Sequence, residues 1–307
     1  MSFRIFVTVV ISAALVGLGG AWILTTPRPQ YGPSNPFPLT EAEGNVERGR
    51  DVFNAGDCAS CHATPGQPEG LRLGGGLALA SPFGTFRPPN ISPDPLDGIG
   101  RWGVSDLANA LVAGVSPDGR HYYPAFPYTS YSGMTAADIN DLFAYLKTLP
   151  PVAGRAPPHH PSVLFAIRRS VGLWKLLFFH PSQPQPVSDV VADGIDRGRY
   201  IVEALSHCAE CHSTRNILGA IKSSARFAGG IDPQGTGFVP NITPVGIGDW
   251  TENGIVRMLE TGETPDHGRV GSSMADVVTN TAMLSDQDRK AIAEYIKSLP
   301  ARPTPKP

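Results

Sequence analysis

Cys58-Ala59-Ser60-Cys61-His62 and Cys208-Ala209-Glu210-Cys211-His212 hold all four cysteines of the chain, and both runs read Cys-x-x-Cys-His. Two thiols one helical turn apart can each form a thioether to a vinyl group of the same haem. The adjoining imidazole then meets the iron from one side. This is the attachment signature of c-type haem, so the residues predict two covalently bound haem c groups with His62 and His212 as iron ligands. Disulfides would not explain a histidine directly after both pairs. Zinc sites built from two Cys-x-x-Cys pairs usually place about 15–20 residues between them, whereas 146 separate Cys61 from Cys208.

Iron held by His on one side and Met on the other is the electron-carrying arrangement, which directs attention to the five methionines. Met134 is the one candidate in the first half of the chain beyond Met1, with His121 as a fallback. The second half offers Met258, Met274 and Met283, with His267 a weaker choice. Met258 falls in the apolar run Ile255-Val-Arg-Met-Leu259 and reads as core. Met283 lies fifteen residues past Gly268, as Met134 does past Gly119. Spacing alone leaves Met274 and Met283 open.

The motifs recur because the chain is duplicated. Arg48-Gly49-Arg50 returns as Arg197-Gly198-Arg199, and Pro82-x-Gly84-Thr85 as Pro233-x-Gly235-Thr236. Pro89-Asn-Ile-Ser-Pro93 returns as Pro240-Asn-Ile-Thr-Pro244, and Gly98-Ile-Gly-x-Trp102 as Gly246-Ile-Gly-x-Trp250. Tyr145-Leu-Lys-x-Leu-Pro150 returns as Tyr295-Ile-Lys-x-Leu-Pro300. The offset near 150 residues is too long for a solenoid repeat and implies two tandem domains. Each should have a helix running into the haem motif (Glu43–Ala55; Gly194–Ser206) and a loop-rich middle. A helix should then start after the tryptophan, near Val104 or Glu252. The last helix is capped by Thr135 or Ser285, with Asp138 or Asp288 three places on, and stopped by Pro150 or Pro300. Arg72, Asn90 and Trp102, with Arg226, Asn241 and Trp250, are candidates either for haem-edge hydrogen bonds or for bracing the loops.

A net charge of −2 and 17% charged residues exclude a strong nucleic-acid signal. With 34 Gly and 31 Pro, about a fifth of the chain, long ordered loops are expected. Ile5 to Leu24 carries no charge for twenty residues and follows Arg4. That pattern reads as a transmembrane anchor leaving the rest outside the cytoplasm, with a cleaved signal peptide as the alternative. The expected layout is an anchor (1–26), a Pro-rich spacer (27–40), domain one (41–151), a connector (152–190), domain two (191–300) and a tail (301–307). The apolar Val163–Phe179 stretch reads as a connector helix packed in the domain interface, or as a helix lying on a membrane surface.

Pro89-Asn-Ile-Ser-Pro93, Gly98-Ile-Gly-Arg-Trp102, Gly114-Val-Ser-Pro-Asp-Gly-Arg120, Tyr123-Pro-Ala-Phe-Pro-Tyr128 and Met274-Ala-Asp-Val-Val278 carry a further indication. Through them the chain resembles the cytochrome c subunits of membrane-bound bacterial alcohol, gluconate and fructose dehydrogenases. The resemblance implies an all-α fold: two tandem class I cytochrome c domains with long loops, preceded by the N-terminal transmembrane helix. Its Met-x-x-Val-Val run favours Met274 as the second-domain ligand. Those subunits generally carry three haem motifs, and this chain has two. The implied role is electron transfer on the periplasmic side of the cell membrane, without catalysis. The electrons would come from a periplasmic dehydrogenase and go to quinone, an oxidase or a soluble carrier. A dihaem peroxidase is the enzymatic alternative, and an independent shuttle to a terminal oxidase is another.

Overall fold

The computed structural model describes residues 3–67, 70–181, 194–234 and 237–306. Gly235 and Thr236 of the duplicated turn, and the connector beyond residue 181, lie outside them. Each domain is built on two helices that cross closely. In domain one the leading helix is Val46–Ala55; Asn45 caps it by accepting Arg48 N–H at 2.9 Å, which moves its start later than residue 43. The closing helix is Ala136–Thr148, and Thr135 Oγ1 accepts Asp138 N–H at 3.1 Å. Domain two repeats the pair as Ile195–Tyr200, continuing through a π-helical turn Ile201–Leu205, and Asp286–Ser298 capped by Ser285.

The π turn has a reason in the sequence. Eight steps separate Arg50 from Cys58 and nine separate Arg199 from Cys208. One extra residue is absorbed as a widened helical turn, and the cysteines keep their place.

Gly49 and Gly198 permit the crossings. A Cβ on Gly49 would lie 2.0 Å from the Asp141 carbonyl oxygen, and one on Gly198 would lie 1.9 Å from that of Ala291. Backbone therefore packs on backbone, and the apolar stripes Ile139, Leu142, Phe143, Leu146 and Ile292, Tyr295, Ile296 fill one core continuous through both domains. The loops are braced in duplicate. Asn90 donates to the Val152 carbonyl (2.6 Å) and Asn241 to that of Arg302 (2.8 Å). Lys147 and Lys297 donate to the Trp102 and Trp250 carbonyls, at 3.2 and 2.8 Å. The helical class holds, with two small antiparallel additions. Leu79–Ser81 pairs with Gly84–Phe86, to which His160–Pro161 adds, and Gly230–Ile231 pairs with Phe238–Val239.

The expected transmembrane helix is corrected. Phe3–Leu24 is helical, but among the described residues no helix is long and apolar enough to cross a membrane. Its C-terminal end is instead fastened to the domains by polar contacts. The Arg169 guanidinium stacks 3.8 Å from the Trp22 ring and donates to Thr26 Oγ1 at 2.8 Å, while His121 Nε2 meets the Thr25 carbonyl at 2.9 Å. The Pro-rich stretch that follows also packs down. Tyr31 and Phe37 are buried, and Asn109 Oδ1 accepts the Gln30 and Tyr31 N–H groups.

The connector forms a helix, Ser170–Phe178, that touches both domains. Trp174 Nε1 donates to the Leu218 carbonyl at 2.9 Å. Lys175 Nζ donates to the Ala113 and Gly114 carbonyls at 2.6 and 2.7 Å, under the Tyr128 ring. No carboxylate pairs with this buried ammonium among the described residues, and desolvation lowers its pKa to about 7.

Two outcomes follow. Gly49→Ala or Gly198→Ala forces the helices apart and should destabilise the holoprotein by about 1–3 kcal/mol, read as a lower melting temperature. For Lys175, the unfolded chain binds the extra proton between pH 7 and its ordinary value, so stability should rise with pH across that window. In Lys175→Met, thermal unfolding from pH 7 to 10 should lose that rise.

Candidate haem-attachment sites

Each leading helix ends in a left-handed residue, Asp57 (φ 52°) or His207 (φ 43°), which turns the chain directly into its cysteines. Cys58–His62 then forms a single α-helical turn. In domain two the turn at Cys208–Glu210 is tighter, and His212 N–H reaches the Cys208 carbonyl at 3.0 Å. None of the four cysteines is in a disulfide. Burial pushes the Cys61 and Cys208 thiols up to about 12, Cys211 to about 11 and Cys58 higher still. No group of three or more His, Cys, Asp or Glu converges as a metal-ion cluster among the described residues.

The histidines are oriented by carbonyls that sequence reasoning missed. His62 Nδ1 lies 2.9 Å from the Pro89 oxygen and His212 Nδ1 2.8 Å from that of Pro240. An acceptor there fixes the proton on Nδ1 and leaves the Nε2 lone pair free for a metal. Desolvation lowers His62 to about 4 and lowers His212 as well, so both rings are neutral at pH 7, as ligation needs. The recurrence of Pro-Asn-Ile in both halves was the available signal.

The loop behind each motif closes the site. Gly75 N–H bonds to the His62 carbonyl and Gly229 N–H to that of His212. In domain one, Arg72 Nε and Arg87 Nε are buried without a hydrogen-bond partner. Arg72 sits in the loop whose carbonyl accepts from Thr64, and Arg87 two residues before Pro89. Buried donors left without an acceptor are costly, and the carboxylates of a haem would satisfy that need. The residues fit the group. Arg226, at the Arg72 position of domain two, instead pairs with Glu203. Asn90 and Asn241 are committed to loop carbonyls, as described above.

The methionines are placed unequally. Met134 is 2% exposed in the core, Met274 and Met258 are partly buried against it, and Met283 is 59% exposed. The helix caps also realign the copies. Thr135 matches Ser285, so the Met134 position falls to the buried Leu284 and not to Met283. The fallback histidines point elsewhere: His121 is bonded to Thr25, and His267 has a 91% exposed side chain beside Glu263.

Two helical domains, each presenting a Cys-x-x-Cys-His turn with its imidazole set by a carbonyl, define a protein that attaches two haems covalently. The chain belongs to the cytochrome c family, whose description matches residues 46–150 and 195–300. It is 48% identical over 290 residues to a "Diheme cytochrome c-type" of Cereibacter sphaeroides, covering 94% of this chain and 96% of that one. It is 37% identical to the fructose dehydrogenase cytochrome subunit of Gluconobacter japonicus, covering 88% of this chain and 56% of that one. Its identity to the cytochrome c subunit of the quinone alcohol dehydrogenase of Gluconobacter oxydans is 36%, covering 85% and 56%. The chain thus spans nearly all of the dihaem relative and about half the length of the two dehydrogenase subunits. It carries two covalently bound haem c groups, and its role is electron transfer.

Cys58→Ala with Cys61→Ala should remove one haem and leave the other. Haem quantitation should then fall by about half, and the mass should drop by one porphyrin.

Proposed function

We propose that the protein relays electrons on the periplasmic side of the cell, from a dehydrogenase to quinone, an oxidase or a soluble carrier. The observation that carries this reading is the same Nδ1-to-carbonyl bond at His62 and His212, which supports both as ligand sites of one kind. The relatives named as cytochrome subunits of fructose and alcohol dehydrogenases support a dehydrogenase as donor.

In this reading Cys58, Cys61, Cys208 and Cys211 carry the haems, and His62 with Met134 and His212 with Met274 ligate the two irons. The haem supplies a one-electron couple whose potential depends on axial ligand, hydrogen bonding and burial. The chain supplies the rest. Pro89 and Pro240 hold each imidazole in one tautomer, the Gly75 and Gly229 amides fix its backbone, and the core excludes water. Met274 is preferred over Met283 because it packs against the core while Met283 stands in solvent. With a histidine and a methionine each committed to the iron, neither site would have a place for substrate. No separate observation favours a peroxidase.

A spectroscopic redox titration tests the assignment. Met134→Ala and Met274→Ala should each convert one haem from low spin and lower its potential, whereas Met283→Ala should match wild type. A change of coordination in Met283→Ala with none in Met274→Ala would reverse the second ligand. A high-spin haem in wild type that turns over peroxide would sink the relay reading.

A further inference from the structure

The two haem motifs meet across the domain boundary, each gripped by the same stretch of the other copy. Asn280 Nδ2 donates to Asp57 Oδ1 at 2.5 Å and to Ser60 Oγ at 3.2 Å. In the reciprocal contact Thr129 Oγ1 donates to Glu210 Oε1 at 2.7 Å. Ser60 and Glu210 hold the same place within their motifs, and Thr129 and Asn280 are within one place of equivalence by the Tyr145–Tyr295 offset. A surface that meets its own copy in this way is two-fold in character, here within one chain. Asp57 and His207, left-handed and directly before the first cysteine of each motif, both lie in it.

One ring pair crosses this boundary beside the thiols. Buried Tyr131 donates its hydroxyl to the Gly56 carbonyl at 3.1 Å, two residues before Cys58. Its ring meets the His207 ring edge-on, centroids 5.7 Å apart, one residue before Cys208. A hydrogen bond and one aromatic contact therefore join the backbone at one attachment site to the backbone at the other.

We infer that Tyr131 and His207 are positioning residues that hold the thiol edges of the two sites in electronic contact, so that an electron crosses between the haems inside one chain. This rests on the relay reading. One ferrous site loses an electron as the other, ferric, gains it; no bond forms or breaks and no proton moves. Packed, bonded groups carry tunnelling electrons far better than a gap does, so the ring contact sets the rate of the crossing.

The test uses the full-length dihaem protein, reduced by a light pulse with fewer electrons than haems and followed at wavelengths that separate the two. Wild type and Tyr131→Phe, which keeps the ring, should equilibrate at a rate independent of protein concentration. Tyr131→Leu and His207→Asn should be slower by about tenfold, with low-spin spectra unchanged; asparagine tolerates the left-handed backbone at 207. A wild-type rate proportional to concentration, or variants as fast as wild type, would overturn the inference. Circular dichroism in the Soret band decides even where a variant does not mature: neighbouring haems give wild type a two-signed couplet, and its absence would also overturn the inference. Peroxide turnover at a high-spin haem with a normal crossing rate would end the relay reading and leave the internal contact standing.

Discussion

The architecture depends on two places where a helix can approach another without a side chain between them. Gly49 and Gly198 let each leading helix rest on the carbonyls of its closing helix, at distances where any Cβ would collide. That approach fixes the end of the leading helix, from which the cysteines turn off. It also fixes the capped start of the closing helix, before which the loop crossing to the other domain must end. The flanking arginines reinforce the crossing at different turns in the two copies. Arg48 pairs with Asp141, and Arg197 with Asp288, which matches Asp138 of domain one. Asp141 is buried and the Arg197–Asp288 pair largely so, yet the change of partner shows that the crossing, not the pair, is what both copies keep.

Much of this could be read in the chain beforehand. The duplicated motifs gave the two domains, the caps at Thr135 and Ser285 gave the closing helices, and Cys-x-x-Cys-His gave the chemistry. These signals are local, set by spacing and by side-chain-to-backbone bonds within a few residues. What was not legible is long-range. The Pro89 and Pro240 carbonyls act on imidazoles 27 and 28 residues away, and a backbone acceptor leaves no mark on residue type. A transmembrane helix was expected at the N-terminus, but among the described residues no helix is long and apolar enough to cross a membrane; the grip of Arg169 on its end comes from 147 residues on and leaves no local pattern. The one-residue offset between Met134 and Met283 was hidden because counting began at the Gly-Arg pair and not at the helix cap.

The connector shows how composition leaves a choice open. Its apolar run is compatible with a lipid surface, yet Trp174 and Lys175 turn inward, each to a carbonyl of a different domain. A buried ammonium held by two carbonyls and a ring contributes orientation more than stability, since its desolvation offsets the bonds it makes. Domain docking is therefore specified by directional contacts laid over a shared apolar core.

Duplication does not make the copies interchangeable. The segment just before each closing helix grips the other domain's haem motif through Thr129 or Asn280, and the proposed sixth ligand comes from the same loop. In domain one the loop holds a single turn at Tyr128–Tyr131, and Met134 lies at its end. In domain two it forms a longer helix, Ser273–Thr281, and apolar Leu284 fills the Met134 position. With that position closed, the methionine proposed to face His212 across the iron comes from elsewhere in the loop, and Met274 lies at the opposite end of the helix that carries Asn280. A change in this helix would then reach the iron at one end and the neighbouring motif at the other, so ligation in domain two and contact with domain one cannot vary independently.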